Sequence, residues 1–380
     1  MRVMHLIAPG VLAGAERLVL AGCEALVACG VEIELIVIEE TRKPSLARDF
    51  VREAEARGLR TKTLVSRGRF DMMLMHRLFL AACQVDLLHV HGFKALVHAQ
   101  AARLSCPLVV TWHGDTASDD RVERYERMGR FLAQRADRLF VVGRAAQRDA
   151  LGWGASPKRT VLCENFAPDI EGVVPTLRTR AGVPRLLFAG RLSEEKAPLV
   201  LLDALAASSV PFELSIAGDG PLMERVRERI ASRKLGARVR LLGWSREVGA
   251  LMEHHDLLVL PSLREGLPLV VLEAAARGMP MVASDVGAVS DIVVQGETGF
   301  LVPAGDVAAL RGALDEAARC LDSLSARALA LAPTMRDRFG RARWARETED
   351  IYRELTSPPH APALHANPRA GLRSMARLWG

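Results

Sequence analysis

The chain has 380 residues, 49% of them apolar and 25% charged, with a formal net charge of +6. That length exceeds what one hydrophobic core usually serves, so two domains are predicted, and the balance of apolar and charged residues excludes a disordered or fibrous chain. No apolar run reaches bilayer length, acidic residues are interleaved with the basic ones, and the six cysteines form no C-x-x-C pair. A membrane span, nucleic acid as a partner, and disulfide or zinc frameworks are therefore set aside. With no signal-peptide pattern at the start, the expected location is cytoplasmic.

In chain order, short aliphatic runs at 3–7, 32–38, 87–91, 108–112 and 139–142 alternate with helical stretches, the rhythm of a doubly wound sheet. Within this half a basic run, Arg57, Arg60, Lys62, Arg67 and Arg69, precedes an apolar helix-like stretch at 72–83. Its first reading is a solvated loop before a core helix; the second is peripheral contact with an anionic membrane at its inner face. Residues 171–184 hold glycine and proline without a period and predict a linker. Strand-like runs then restart at 186–189, 213–217, 238–242, 257–260 and 281–283. The simplest architecture is α/β, two Rossmann-like domains facing across a cleft. Residues 358–380, proline-rich with three arginines and no acid, predict a mobile tail.

The stretch 263–275 carries the most information. An apolar strand at 257–260 leads through a loop to a helix at 268–277 whose first position suits Pro268. Glu265 falls in the loop and Glu273 in the helix, and two carboxylates at a strand-to-helix junction suit a polyhydroxylated ligand such as a sugar or ribose. Gly190, Arg191 and Lys196 form the first turn of the second half, where two cations can neutralise a diphosphate. Gly14 and Ala15, after the first strand, read equally as an anion-binding helix start or a tight turn. The run 217–221 reads as a turn before a helix, because Met223 stands where a dinucleotide fingerprint needs its third glycine. His113 closes a strand at the cleft edge, able to donate to a sugar hydroxyl or shuttle a proton. His89 and His91 share a strand face, but no third histidine or carboxylate stands at ligand spacing, so a metal is not expected there. His254 and His255 read as a helix end. No D-x-D triplet marks a cation site for a nucleotide diphosphate.

Taken together, Gly14-Ala15-Glu16, His113-Gly114, Asn165, Gly190-Arg191-Leu192 with Lys196, Gly218-Asp219-Gly220-Pro221, Leu242-Gly243, and Glu265-Gly266-Leu267-Pro268 with Glu273-Ala274 resemble the retaining GT-B glycosyltransferases of family 4. The resemblance spans roughly residues 1–355. It implies an acceptor domain at 1–172, a nucleotide-sugar domain at 173–335, a helix at 336–356 crossing back onto the first domain, and a tail at 357–380. Glu273 would accept ribose hydroxyls. Glu265, with the amides of Gly266 and Leu267, would hold the transferred sugar, and His113 would touch it from the other domain. Arg191 and Lys196 would stabilise the departing diphosphate, and Gly14, Ala15, Asn165, Gly190, Trp244 and Pro268 complete the donor-binding set. No cofactor is implied: the donor would be a nucleotide sugar used without metal, and the acceptor a glycan or lipid-linked glycan in cell-surface polysaccharide or glycolipid synthesis. The chain departs from the pattern at Ala13-Gly14, where Gly-Gly is common, at Asn165-Phe166, where Asn-Gly is usual, and at Ala197, where glycine is common. A nucleotide-sugar epimerase or hydrolase of the same fold, and a silent subunit of a polysaccharide assembly complex, are the alternatives; a dinucleotide oxidoreductase is the weakest.

Overall fold

The structure, a computed structural model, describes residues 1–10, 14–41, 44–68, 71–102, 106–113, 120–168, 170, 172–175, 177 and 182–357. Ala13, Gly114, Arg69, part of the linker and the tail at 358–380 lie outside the described residues. Strands β1 (Arg2–Ile7), β2 (Glu32–Glu40), β3 (Thr61–Ser66), β4 (Leu87–His91), β5 (Leu108–Trp112), β6 (Arg138–Val141) and β7 (Thr160–Leu162) form one sheet. Strands β8 (Arg185–Ala189), β9 (Glu213–Ala217), β10 (Val239–Gly243), β11 (Leu257–Leu260), β12 (Met281–Ser284) and β13 (Gly299–Val302) form the second. Both sheets are parallel throughout. A parallel sheet is covered on both faces, so its central strands are aliphatic without alternation; β11 and β12 are buried at every position. The edge strand β3 is half exposed and stands in the basic run in place of the expected loop.

Helices α1 (Gly14–Ala28), α2 (Pro44–Ala56), α3 (Met72–Ala82), α4 (Phe93–Ala102), α5 (Asp120–Ala133) and α6 (Arg144–Gly152) connect the first sheet. Helices α7 (Pro198–Ala206), α8 (Met223–Ser232), α9 (Val248–Glu253), α10 (Leu269–Ala276) and α11 (Val307–Arg319) connect the second, and α12 (Leu321–Arg338) and α13 (Arg341–Thr356) follow. The strand orders are β3-β2-β1-β4-β5-β6-β7 and β10-β9-β8-β11-β12-β13. In each sheet the chain starts centrally, winds outward, then returns to the other side. A crevice therefore opens at the carboxyl ends of β1 and β4, and another at those of β8 and β11.

Two expectations need correction. Pro268 is not the first residue of α10 but its extended N-cap (φ −73°, ψ 130°), with the helix starting at Leu269. The returning segment is not one helix at 336–356: α12 ends at Arg338 and α13 starts at Arg341. α12 lies against α10 and α13 against α1, so the chain crosses between the halves at Phe339 and Gly340. A Cβ added to Gly22 of α1 would fall 2.7 Å from Trp344 of α13, which is why a glycine there lets the two helices touch. An apolar cluster also joins the halves, placing Leu18, Val142 and Phe166 with Leu267, Leu269 and Ala288.

Candidate active site

The second crevice is built on two interlocked turns. After β8 the Gly190 N–H donates to the Ala217 carbonyl and the Leu192 N–H to that of Asp219, each at 3.0 Å. A Cβ on Gly218, whose φ is +158°, would lie 1.8 Å from the Gly190 oxygen, so only glycine lets the two turns meet. The 217–221 run is thus a turn, as expected, and it underlies the cationic loop. A single helical turn at Glu194–Lys196 follows, closed by Ala197 in the left-handed region (φ 47°, ψ 47°). A side chain there costs roughly 1–2 kcal/mol, the physical reason glycine suits that position.

Lys196 and Glu265, 69 residues apart, form one ion pair. The Lys196 ammonium donates to Oε1 and Oε2 of Glu265 at 2.6 and 2.7 Å, and the Ser262 hydroxyl donates to Oε1 at 2.7 Å. The backbones join as well, the Leu263 N–H donating to the Glu195 carbonyl at 2.7 Å. Burial is partial: the lysine side chain is 23% exposed and the glutamate 7%. An ammonium has three donors and a carboxylate about four lone-pair positions. The pair therefore leaves one N–H of Lys196 for an anion and one lone pair of Glu265 for a hydroxyl. Arg191 is exposed on the same turn.

Across the cleft the two sheets touch at the loop holding Glu265. A Cβ on Gly266 would fall 2.4 Å from the His113 carbonyl oxygen, so this glycine is set by close approach. Asn165 donates from Nδ2 to the Leu267 carbonyl at 3.1 Å, and the Ala288 N–H to that of Gly266 at 2.8 Å. With both carbonyls committed, the N–H groups of Gly266 and Leu267 are the donors this turn can offer. Phe166 explains the departure from Asn-Gly: its ring packs on Trp344 of α13 at 4.8 Å.

Glu273 is buried, and Arg17 of α1 reaches its Oε1 at 3.4 Å. Sequence reasoning missed both Arg17 and Ser262. Ser262 carried a weak signal, three residues before Glu265 in the same loop; Arg17 carried none, because its partner is 256 residues away. His113 has a buried Nε2 without a hydrogen-bond partner, and burial lowers its pKa to about 4, so the imidazole is neutral. Gly14 faces Leu269, and Ala15 is exposed beside it. Trp244 is not gathered with the others: it is 54% exposed after β10, with the Arg246 guanidinium 5.4 Å from its ring. The expectation that His89 and His91 lack a third histidine is overturned, because parallel register sets His5 beside His89.

A cavity of about 320 Å³ opens next to Glu265, between the first sheet and the Glu265 loop. Trp112, Ala146 and Asp149 line one side, and Arg264, Glu265 and Gly287 the other. Polar groups converging on a cleft between two domains are the usual setting of a small-molecule site.

Comparison with known proteins agrees with this geometry. Residues 183–319 match the family described as Glycosyl transferases group 1, and residues 12–168 match Glycosyltransferase Family 4. A 2-deoxystreptamine N-acetyl-D-glucosaminyltransferase of Streptomyces fradiae is 30% identical over 285 residues, 67% of this chain and 68% of its own. The Escherichia coli UDP-Gal:alpha-D-GlcNAc-diphosphoundecaprenol alpha-1,3-galactosyltransferase is 26% identical over 339 residues, 82% of this chain and 87% of its own. Among solved structures, HepE of Anabaena in complex with UDP superposes with a TM-score of 0.80 at 20% identity, covering 93% of this chain and all of that one.

Proposed function

Because this chain belongs to the group 1 glycosyltransferases of family 4, we propose that it moves a sugar, with retained anomeric configuration, from a nucleoside-diphosphate sugar to a glycan or lipid-linked acceptor. The product would enter cell-surface polysaccharide or glycolipid synthesis. The observation that carries this reading is the Lys196–Glu265 pair at the β8/β11 crevice. Glycosyl transfer builds positive character at the anomeric carbon and negative charge on the departing diphosphate oxygen. Arg191 and the spare N–H of Lys196 meet that charge as it develops, which lowers the barrier more than it tightens ground-state binding. Glu265, with its spare lone pair, orients the sugar through a hydroxyl. A carboxylate held by Lys196 and Ser262 is a poor nucleophile, which favours front-side attack in which the donor phosphate takes the acceptor proton. Glu273 accepts the ribose hydroxyls, and neutral His113 touches the transferred sugar.

The acceptor enters by the cavity between Trp112, Asp149 and Glu265. Two cations suffice for a diphosphate in this reading, so no metal is required. The test is a panel of UDP-, GDP- and ADP-sugars, with and without EDTA, following thermal stabilisation and nucleoside diphosphate release; UDP-sugars come first because HepE was solved with UDP and with UDP-glucose. Stabilisation by one donor that survives EDTA supports the reading. No shift with any donor moves the weight to a silent subunit, and sugar release without an acceptor product favours hydrolysis.

Peripheral membrane contact has its own support. Met72 and Met73, at the start of α3, are 80% and 63% exposed, and Lys62 and Arg67 are exposed nearby in the chain. Arg57 is spent on Glu53 and Glu24, and Arg60 pairs with Glu32. Sedimentation with anionic vesicles at low salt and release at high salt is expected; binding insensitive to salt would remove the electrostatic part.

A further inference from the structure

Beneath α13, one face of the first sheet carries a polar row inside an apolar layer. Register places His5 of β1 beside His89 of β4; His91 lies two residues further along the same face, and Thr111 of β5 sits beside His91. Tyr352 of α13 packs against this row. Nδ1 of His5 and Nε2 of His91 are 2.9 Å apart, and Nε2 of His89 is 2.7 Å from the Thr111 hydroxyl. The Tyr352 hydroxyl bonds Nδ1 of His89 and lies 3.4 Å from Nε2 of His5. Burial pushes all three histidines well below the ordinary imidazole range, so each is neutral.

Counting protons orders the row. A neutral imidazole has one N–H and one lone pair, and the buried tyrosine O–H needs an acceptor within the row, so the contacts run in one direction or its reverse. In the first, Nε2–H of His91 donates to Nδ1 of His5, Nε2–H of His5 to the tyrosine oxygen, the tyrosine O–H to Nδ1 of His89, and Nε2–H of His89 to Thr111. That direction leaves Nδ1 of His91 as a bare lone pair; the reverse leaves it as an N–H. Nδ1 of His91 is buried without a partner. An orphaned buried N–H is rarer than an orphaned acceptor, so the first direction prevails. The ring of His91 lies 6.4 Å from that of His113, tilted by 30°, and the placement of its proton sets the dipole that His113 feels.

We propose that Tyr352 is a positioning residue, which through His5 and His91 fixes the tautomer beside His113 and so ties the crossing helix to the cleft histidine. The inference rests on the reading of His113 as a group that touches the transferred sugar. Three imidazoles also match the count of a zinc site, but each nitrogen given to a metal would lose the hydrogen bond it makes in the row, and no carboxylate stands in the group to offset a buried dication.

The full-length protein labelled with 15N-histidine decides the matter. Long-range proton–nitrogen spectra of the wild type should show His5, His89 and His91 all as Nε2–H tautomers. Tyr352→Phe should keep the fold by circular dichroism, shift the ring nitrogens of His91 and His113, and lower kcat about tenfold with donor KM within twofold. Should that variant not fold, Thr111→Val must shift the ring nitrogens of His5, two strands away from it and joined to it only through His89 and Tyr352. An Nδ1–H tautomer of His91 in the wild type, or unmoved His113 nitrogens and kcat in Tyr352→Phe, would overturn the proposal. So would Co²⁺ titration of the wild type giving tetrahedral absorption bands that Zn²⁺ abolishes. If the wild type turns over no donor, the glycosyl-transfer reading fails while the spectra still judge the row.

Discussion

Between β8 and β11 the crevice holds ions in partial contact with water, Lys196 on Glu265 with Arg191 exposed alongside, whereas the face of the first sheet across β1 and β4 holds neutral imidazoles buried under α13. Both lie where strand order reverses in a parallel sheet, so topology chooses the place and side chains choose the chemistry. In the proposed reading the difference is a division of labour: the ionic crevice supplies charge to a diphosphate, and His113, beside the neutral row, supplies an uncharged hydrogen-bonding group to a sugar without setting a second charge against Glu265.

The comparison breaks first at Lys196. Lys196→Ala removes transition-state charge stabilisation and frees Glu265, and is expected to lower kcat by about 10²–10³. Arg191→Ala should follow the same pattern at smaller size, lowering kcat more than it raises donor KM; steady-state kinetics with the reverse pattern would reassign both cations. Glu273→Ala should weaken donor binding by about 10–100-fold in calorimetry, the loss of hydrogen bonds to a charged acceptor, with a smaller change in turnover.

The neutral imidazoles are probed by acid. His113 is lowered to about 4 and His5 to about 3 in the folded chain, from an unfolded value near 6.5. As pH falls below about 6.5 the unfolded chain takes up protons that the folded chain refuses. Stability is therefore complete above that pH and lost as pH drops toward 4 and then 3, by about 1.4 kcal/mol per pH unit for each group. Denaturant melts at pH 7.5, 6 and 5 should show the decline; a flat profile would mean these rings are not held neutral. The smallest effect is expected from Ala197→Gly, which relieves a left-handed alanine and should raise stability by about 0.5–1 kcal/mol in thermal unfolding.

Much of the ionic crevice was legible because its residues follow unbroken aliphatic runs: β11 was predicted at its observed bounds, and Glu265 falls in the loop that follows. What joins them was not legible. The partnership of Lys196 with Glu265 spans 69 residues and that of Arg17 with Glu273 spans 256, and no local pattern encodes such contacts. The imidazole row stayed hidden for another reason: the period of β4 placed His89 and His91 on one face, but only the register of β1 against β4 brings His5 to them. Edge strands β3, β7 and β13 escaped: β3 holds only two apolar residues, Leu64 and Val65, β7 is three residues long, and β13 opens on Gly299 straight after a turn-like stretch. The break between α12 and α13 does carry a local signal that the single-helix expectation missed, Gly340 after Arg336 and Arg338 in the last turn of α12, with Phe339 between them buried in the core.

Hydrogen exchange on the full chain with and without UDP, in EDTA, tests the central claim most directly. The account predicts new protection of backbone amides at 190–197 and 262–273, lost in Lys196→Ala. Protection confined to other segments, or none at saturating UDP, would contradict a donor site built on Lys196 and Glu265.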